Sequence, residues 1–197
     1  MYMDQFNKVK KQLSRDLDRE RYIHTLGVAE TAQCLAMRYE TDLDRAYLAG
    51  LLHDCAKCIP AKDRLRLCGR WNIPVKAVEE KNTGLLHAKM GAYLAKDKYG
   101  VTDPEILSAI ACHTVGKPAM TLLEKILFVA DYIEANRDKA ENLQQIRKTA
   151  FLDIDSAVLL ILKGTIEYLK SGKSKDIDPD TETVYQYYQK LLEGEES

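Results

Sequence analysis

Four histidines, His24, His53, His87 and His113, and two aspartates, Asp54 and Asp131, are the residues of this chain with the clearest chemical potential. His24 shares an apolar helical stripe with Val28, Ala32, Leu35 and Tyr39. His53-Asp54 closes an apolar helix that breaks at Ile59-Pro60, and Asp131 follows the apolar run Ile126 to Ala130. His87 opens a helix after Leu85-Leu86, and His113 ends another after the run AIAC. A carboxylate beside apolar runs is costly unless something positive pairs with it. A divalent cation is the largest positive charge a small site can hold. Taken singly, each residue has an ordinary reading as a core histidine, a helix cap, or an aspartate bonded to an arginine or tyrosine. Together they make an imidazole–carboxylate set suited to iron, manganese, cobalt or zinc. Six such ligands exceed one tetrahedral zinc. They match two metals ~3.5–4 Å apart, an arrangement that clamps a phosphoryl group and activates a bridging water.

The elements that must position these residues are helical. Apolar residues recur with the 3.6-residue period along nearly the whole chain. Helices are expected over 4–17, 21–39, 45–53, 87–98, 103–112, 122–137, 142–151, 154–171 and 181–192. Asp42 or Asp44 caps the third, Pro104 lies in the first turn of the 103–112 helix, and Thr121 with Glu124 forms a capping box. Two short helices fill 61–84, with Pro60 opening the first and Gly69 and Pro74 as breaks. A polar turn, SGKSKDIDPD, covers 171–180. The fold class is all-α, a helical bundle, and 1–197 is read as a single domain. Its core spans about 18–140, and helices within 141–193 pack on it.

Composition excludes other classes. Basic and acidic residues number 29 and 30, for a net charge of -1, so no nucleic acid is expected as a bulk partner. No stretch reaches the ~18 apolar residues of a membrane span, so no membrane association is expected. The charged N-terminus and five irregularly spaced cysteines suggest a reduced, cytoplasmic protein. Cys55 and Cys58 form a lone C-x-x-C, readable as a redox or zinc element or as soft helix-packing residues.

The order His24, His53-Asp54, Asp131 resembles the H…HD…D signature of the HD-domain metal-dependent phosphohydrolases. LLHDCAK at 51–57, LLHAKMGA at 85–92, HTVGKPAM at 113–120 and LEKILFVADYIEANR at 123–137 resemble the bacterial YqeK-type subfamily, described as symmetrical bis(5'-nucleosyl)-tetraphosphatases. The resemblance runs from about residue 6 to 192. It implies a single HD domain in which His24, His53, Asp54 and Asp131 hold the core metal. His87 and His113 complete a second metal, with Asp54 bridging. The cofactors implied are two divalent ions, iron first, with manganese, cobalt or zinc as alternatives. Lys117 stands where the family often has Arg, which weakens any bidentate phosphate contact there.

The activity implied is hydrolysis of diadenosine tetraphosphate to two ADP by metal-activated water, with Asp54 and Lys57 in the catalytic set. Lys57, Thr114 and Arg137 are the candidate phosphate-binding residues, each also readable as a solvated surface residue. Glu134, one turn from Asp131, either orients a ligand or faces solvent. Tyr22, Tyr132 and Trp71 are aromatic enough to stack a base, or simply pack in the core. The implied partner is a dinucleoside polyphosphate or another small nucleotide, and the tyrosine-rich last helix admits a homodimer. Two alternatives remain open: a nucleotidase or nucleoside di- or triphosphate hydrolase of the HD class, and a nucleotide-binding sensor module.

Overall fold

A computed structural model describes residues 2–140, 142–173 and 179–194. Every regular element among them is helical. The α-helices are α1 (Tyr2–Asp16), α2 (Arg19–Arg38), α3 (Leu43–Leu52), α4 (Ala61–Arg70), α5 (Ala77–Lys81) and α6 (His87–Asp97). They continue with α7 (Pro104–Cys112), α8 (Leu122–Ile133), α9 (Leu143–Ala150), α10 (Ile154–Tyr168) and α11 (Pro179–Glu193). A 3-10 turn at Thr83–Leu86 leads into α6, and a π turn at Leu169–Lys173 follows α10. None of the described helices is long and apolar enough to cross a membrane.

Side-chain caps start four of the five helices that carry the site, α6 being the exception. Asp18 accepts from Arg21 N–H at 2.8 Å, Asp42 from the amides of Asp44 and Arg45, and Asp103 from those of Glu105 and Ile106. Thr121 and Glu124 form the expected reciprocal box. Each cap satisfies amides that the first helical turn leaves without partners.

Helix α8 lies at the middle of the packing, against α2, α3, α7 and α10. It buries Leu123, Ile126, Leu127, Val129 and Ala130. Helix α2 meets α3 at a point where backbone touches backbone. A Cβ added to Gly50 would lie 2.5 Å from Ala29 Cα, so only glycine allows this approach. Helix α10 lays Ile154, Ala157, Val158, Ile161 and Leu162 into the same core. Helix α11 adds Val184 and the fully buried Tyr188, whose hydroxyl accepts from Met120 N–H at 3.2 Å.

One expected break falls elsewhere. Gly69 lies inside α4, and the chain turns instead at Asn72, whose φ is +54°. Asparagine tolerates the left-handed region, and Ile73 N–H closes the turn on Cys68 carbonyl at 2.9 Å. Pro60 stands one residue before α4, as its cap position. The expected polar turn at 171–180 lies partly outside the described residues.

Candidate metal centre

Five helices deliver the six candidate ligands to one place. His24 projects from the second turn of α2, His53 caps the C-terminus of α3 with Asp54 next in the turn, and His87 begins α6. His113 caps the C-terminus of α7, and Asp131 lies in the last turn of α8. Gly116, at φ +76°, turns the chain just beyond His113. Asp54 is 2% exposed and stands at the centre. Its Oδ1 is 3.2 Å from His87 Nε2 and 3.7 Å from His113 Nε2, while its Oδ2 is 3.5 Å from His53 Nε2. Asp131 Oδ1 is 3.0 Å from His24 Nε2 and 3.9 Å from His53 Nε2. Two ligand groups result, His24–His53–Asp131 and His53–Asp54–His113, and they share His53. His87 joins the second through Nε2 of His113, 3.2 Å away.

The tautomers decide what this cluster can hold. His53 Nδ1 lies 2.7 Å from Gly50 carbonyl, His87 Nδ1 2.6 Å from Gly84 carbonyl, and His113 Nδ1 2.7 Å from Ile110 carbonyl. A carbonyl only accepts, so each Nδ1 carries the proton and each Nε2 presents a lone pair. His24 has a carboxylate on each side, Glu134 3.2 Å from Nδ1 and Asp131 3.0 Å from Nε2, so with a cation shared by Nε2 and Asp131 its proton stays on Nδ1. Lone pairs and carboxylate oxygens thus face one another. His24 Nε2, His53 Nε2 and Asp54 Oδ1 are buried without a hydrogen-bond partner. Ligand atoms about 2.1 Å from a common ion stand roughly 3.0–3.4 Å apart, which is the separation of His87 and His113 Nε2. The residues fit divalent cations.

The ionisation states of Asp54, Asp131 and His87 suit a ligand set, while His113 is held toward its protonated form. Burial works against charge on Asp54 and Asp131, but neighbouring histidines outweigh it and hold both carboxyls well below the usual carboxylate range. Burial pushes His87 down, toward the neutral ligand form. At His113 burial pulls the same way, but Asp54 outweighs it and raises the imidazole. Burial also lowers Lys57, against the pull of Asp54.

The candidate cations surround the cluster. Lys57 Nζ is 3.1 Å from His87 Nε2 and 3.8 Å from Asp54 Oδ1. Thr114 Oγ1 is 3.3 Å from His87 Nε2, and Arg137 donates to the Asp131 carboxylate and carbonyl, both at 3.0 Å. Lys117 pairs with Glu124 at 2.7 Å instead. Trp71 stacks on Tyr93 at 4.5 Å, Cys55 donates to Gly91 carbonyl, and Cys58 reaches Asp18. Arg21 is not among the sequence candidates, yet its Nη1 is 2.7 Å from Asp54 Oδ2. A signal for it exists: it sits three residues before His24, on the same helical face. Glu134, for which the sequence allows two roles, is buried and touches His24. A cleft of about 450 Å³ opens beside the cluster, lined by Arg21, His24, Glu134, Arg137 and Lys139 among others.

An all-helical bundle with histidines and aspartates converging in this order is an HD domain, and residues 21–136 match the HD-domain family model, so the chain belongs to that family. Its similarities are also narrower than the domain. A Bacillus subtilis (strain 168) protein described as a symmetrical bis(5'-nucleosyl)-tetraphosphatase is 40% identical over 179 residues, covering 91% of this chain and 92% of its own. A Staphylococcus aureus (strain NCTC 8325 / PS 47) protein of the same description is 33% identical, covering 90% of each chain. Among solved structures, an HD superfamily hydrolase from Clostridium acetobutylicum, described as involved in NAD metabolism, is 35% identical with a TM-score of 0.90. That match covers 94% of this chain and 97% of the other.

Proposed function

We propose that this chain is a divalent-metal phosphoanhydride hydrolase that cleaves diadenosine tetraphosphate symmetrically, adding one water to give two ADP. The observation that carries the reading is the convergence of four Nε2 lone pairs and two ionised carboxylates, edged by Arg21, Lys57 and Arg137. The description of the relatives as symmetrical tetraphosphatases supplies the substrate. His24, His53, Asp54 and Asp131 would hold one ion, and His87 and His113 with Asp54 the second. Iron is the first candidate, with manganese, cobalt or zinc as alternatives. Bound there, the ions would supply a water acidic enough to be nucleophilic near neutral pH and would neutralise phosphoryl charge.

The protein's own groups do the rest. Asp54 offers one oxygen to each half of the cluster, so it keeps the two ligand sets in register. The tetraphosphate carries more negative charge than the centre can offset. A guanidinium has five N–H donors, so Arg21 and Arg137 can each hold a carboxylate and still bind phosphate oxygens. Lys57 adds a partly buried ammonium beside Asp54, in the catalytic set, and Thr114 adds a hydroxyl. The cleft past His24 has room for one nucleoside arm. A cytoplasmic location, with small nucleotides as the partners, fits this substrate, and the tyrosine-rich α11 admits a homodimer.

The test is to incubate the metal-loaded protein with diadenosine tetraphosphate and resolve the products. Two ADP is the expected outcome. AMP plus ATP would contradict symmetric cleavage, turnover of mononucleotides alone would indicate a nucleotidase, and tight binding without turnover a sensor.

A further inference from the structure

Of the four histidines, His24 solves the tautomer problem differently. His53, His87 and His113 sit at helix boundaries, where a carbonyl three residues back serves as acceptor for Nδ1–H. His24 lies five residues into α2, where backbone carbonyls are committed to the helix. Its Nδ1 instead meets Glu134 Oε1, 110 positions away, at the C-cap of α8. Glu134 is 2% exposed, and its other oxygen accepts from Asn136 N–H at 2.7 Å and Asn136 Nδ2 at 3.1 Å. Three donors therefore converge on one side chain, and only an acceptor-only carboxylate satisfies all three. Room for it exists because residue 27 is glycine. A Cβ there would collide with Glu134 Oε2 and lie 2.9 Å from Asn136 Nδ2. A glycine inside a helix is less favourable than alanine, so the position gives up helix stability to admit the carboxylate.

We infer that Glu134, admitted by Gly27 and held by Asn136, is the positioning residue that fixes His24 in the Nδ1–H tautomer and so keeps Nε2 available to the metal. The inference rests on the metal centre proposed above. Among the four histidines only His24 has a carboxylate behind it. Such a partner makes the imidazole a more basic ligand than a carbonyl does. In Glu134→Gln the amide oxygen stays with the two Asn136 donors, and its NH2 turns to His24 Nδ1. That forces the proton to Nε2 and blocks the ligand lone pair.

The test compares wild type, Glu134→Gln and Gly27→Ala in two ways. Long-range 15N–1H NMR of the Zn2+-loaded proteins, where the ion takes the place of a proton between His24 Nε2 and Asp131, reads the His24 tautomer, and calorimetric titration with Mn2+ reads metal affinity. Wild type is expected to show protonated Nδ1, with both variants shifted toward Nε2–H and binding metal about 10–100-fold more weakly. The double variant should lose no more than the worse single one, because both changes break one contact. Thermal unfolding by circular dichroism accompanies each, since Gly27→Ala alone could repack α2, whereas Glu134→Gln keeps the shape. A folded Glu134→Gln protein with the wild-type tautomer and affinity would overturn the inference while leaving the metal centre standing. A wild type that binds no Mn2+ would overturn both.

Discussion

At the scale of single residues, the cluster divides into ligands held by their own helix ends and one held from across the bundle. His87 and His113 face each other at 3.2 Å and both address Asp54 Oδ1. His87→Ala and His113→Ala are each expected to retain one metal equivalent of the two, measured by elemental analysis after loading. Two equivalents in both variants would exclude the two-ion assignment. Lys57 poses a different question, because it lies against the centre without belonging to either ligand group. Lys57→Met is expected to keep its metal and lose about 10²–10³ in kcat, the size of effect seen when one preorganised donor is removed from a reacting centre. Unchanged kcat with raised KM would reduce Lys57 to a contact made equally in ground and transition states. The histidines and aspartates were legible in the sequence because a polar residue on an apolar stripe is costly to bury unless it is paired or ligated. Arg21 carried only the weak signal of sharing the His24 face and the Glu134–His24 contact carried none, since surface arginines and glutamates are common and packing selects these two.

At the scale of elements, the C-terminal end of α8 holds Asp131, Glu134 and Arg137 together. Arg147, from α9, donates to the carbonyls of Ile133, Glu134 and Arg137 at 2.9, 2.7 and 2.9 Å. These carbonyls lie at or past the helix end, where no intrahelical donor reaches them. Arg147→Met should therefore cost about 2–3 kcal/mol, read as a lower urea midpoint with an unchanged slope. Weakened metal binding should accompany it, since the released segment carries Glu134. Stability lost without any change in metal affinity would separate this clamp from the site. Helix boundaries were readable where capping chemistry was recognised, at Asp42 and the Thr121–Glu124 box, whereas the Asp18 and Asp103 caps emerged with the structure. The turn at Asn72 was not readable, since glycine at 69 gave the stronger local signal, yet it stays inside α4, exposed and next to the buried Cys68.

At the scale of the whole molecule, the matched HD region ends at residue 136, yet the apolar face of α8 continues under α10. Tyr188 of α11 reaches back to the Met120 amide just before α8. A chain ending at residue 153 is therefore expected to lose cooperative thermal unfolding and to bind a hydrophobic dye, because α8 would expose the face that α10 buries. A sharp, dye-free transition in that truncation would show that the folding unit closes before α10.

The sequence by itself determined the helical class, several helix starts and the candidate ligand set, because periodicity, capping chemistry and buried polar residues are local facts. Tertiary structure alone decided which groups meet: Arg21 on Asp54, Glu134 behind His24, Arg147 over the end of α8. Those contacts span 33, 110 and up to 14 positions. The two longer ones depend on how closely α2 approaches α3 at Gly50 and on the room Gly27 leaves for the Glu134 side chain, and the absence of a side chain leaves no periodic signal to read.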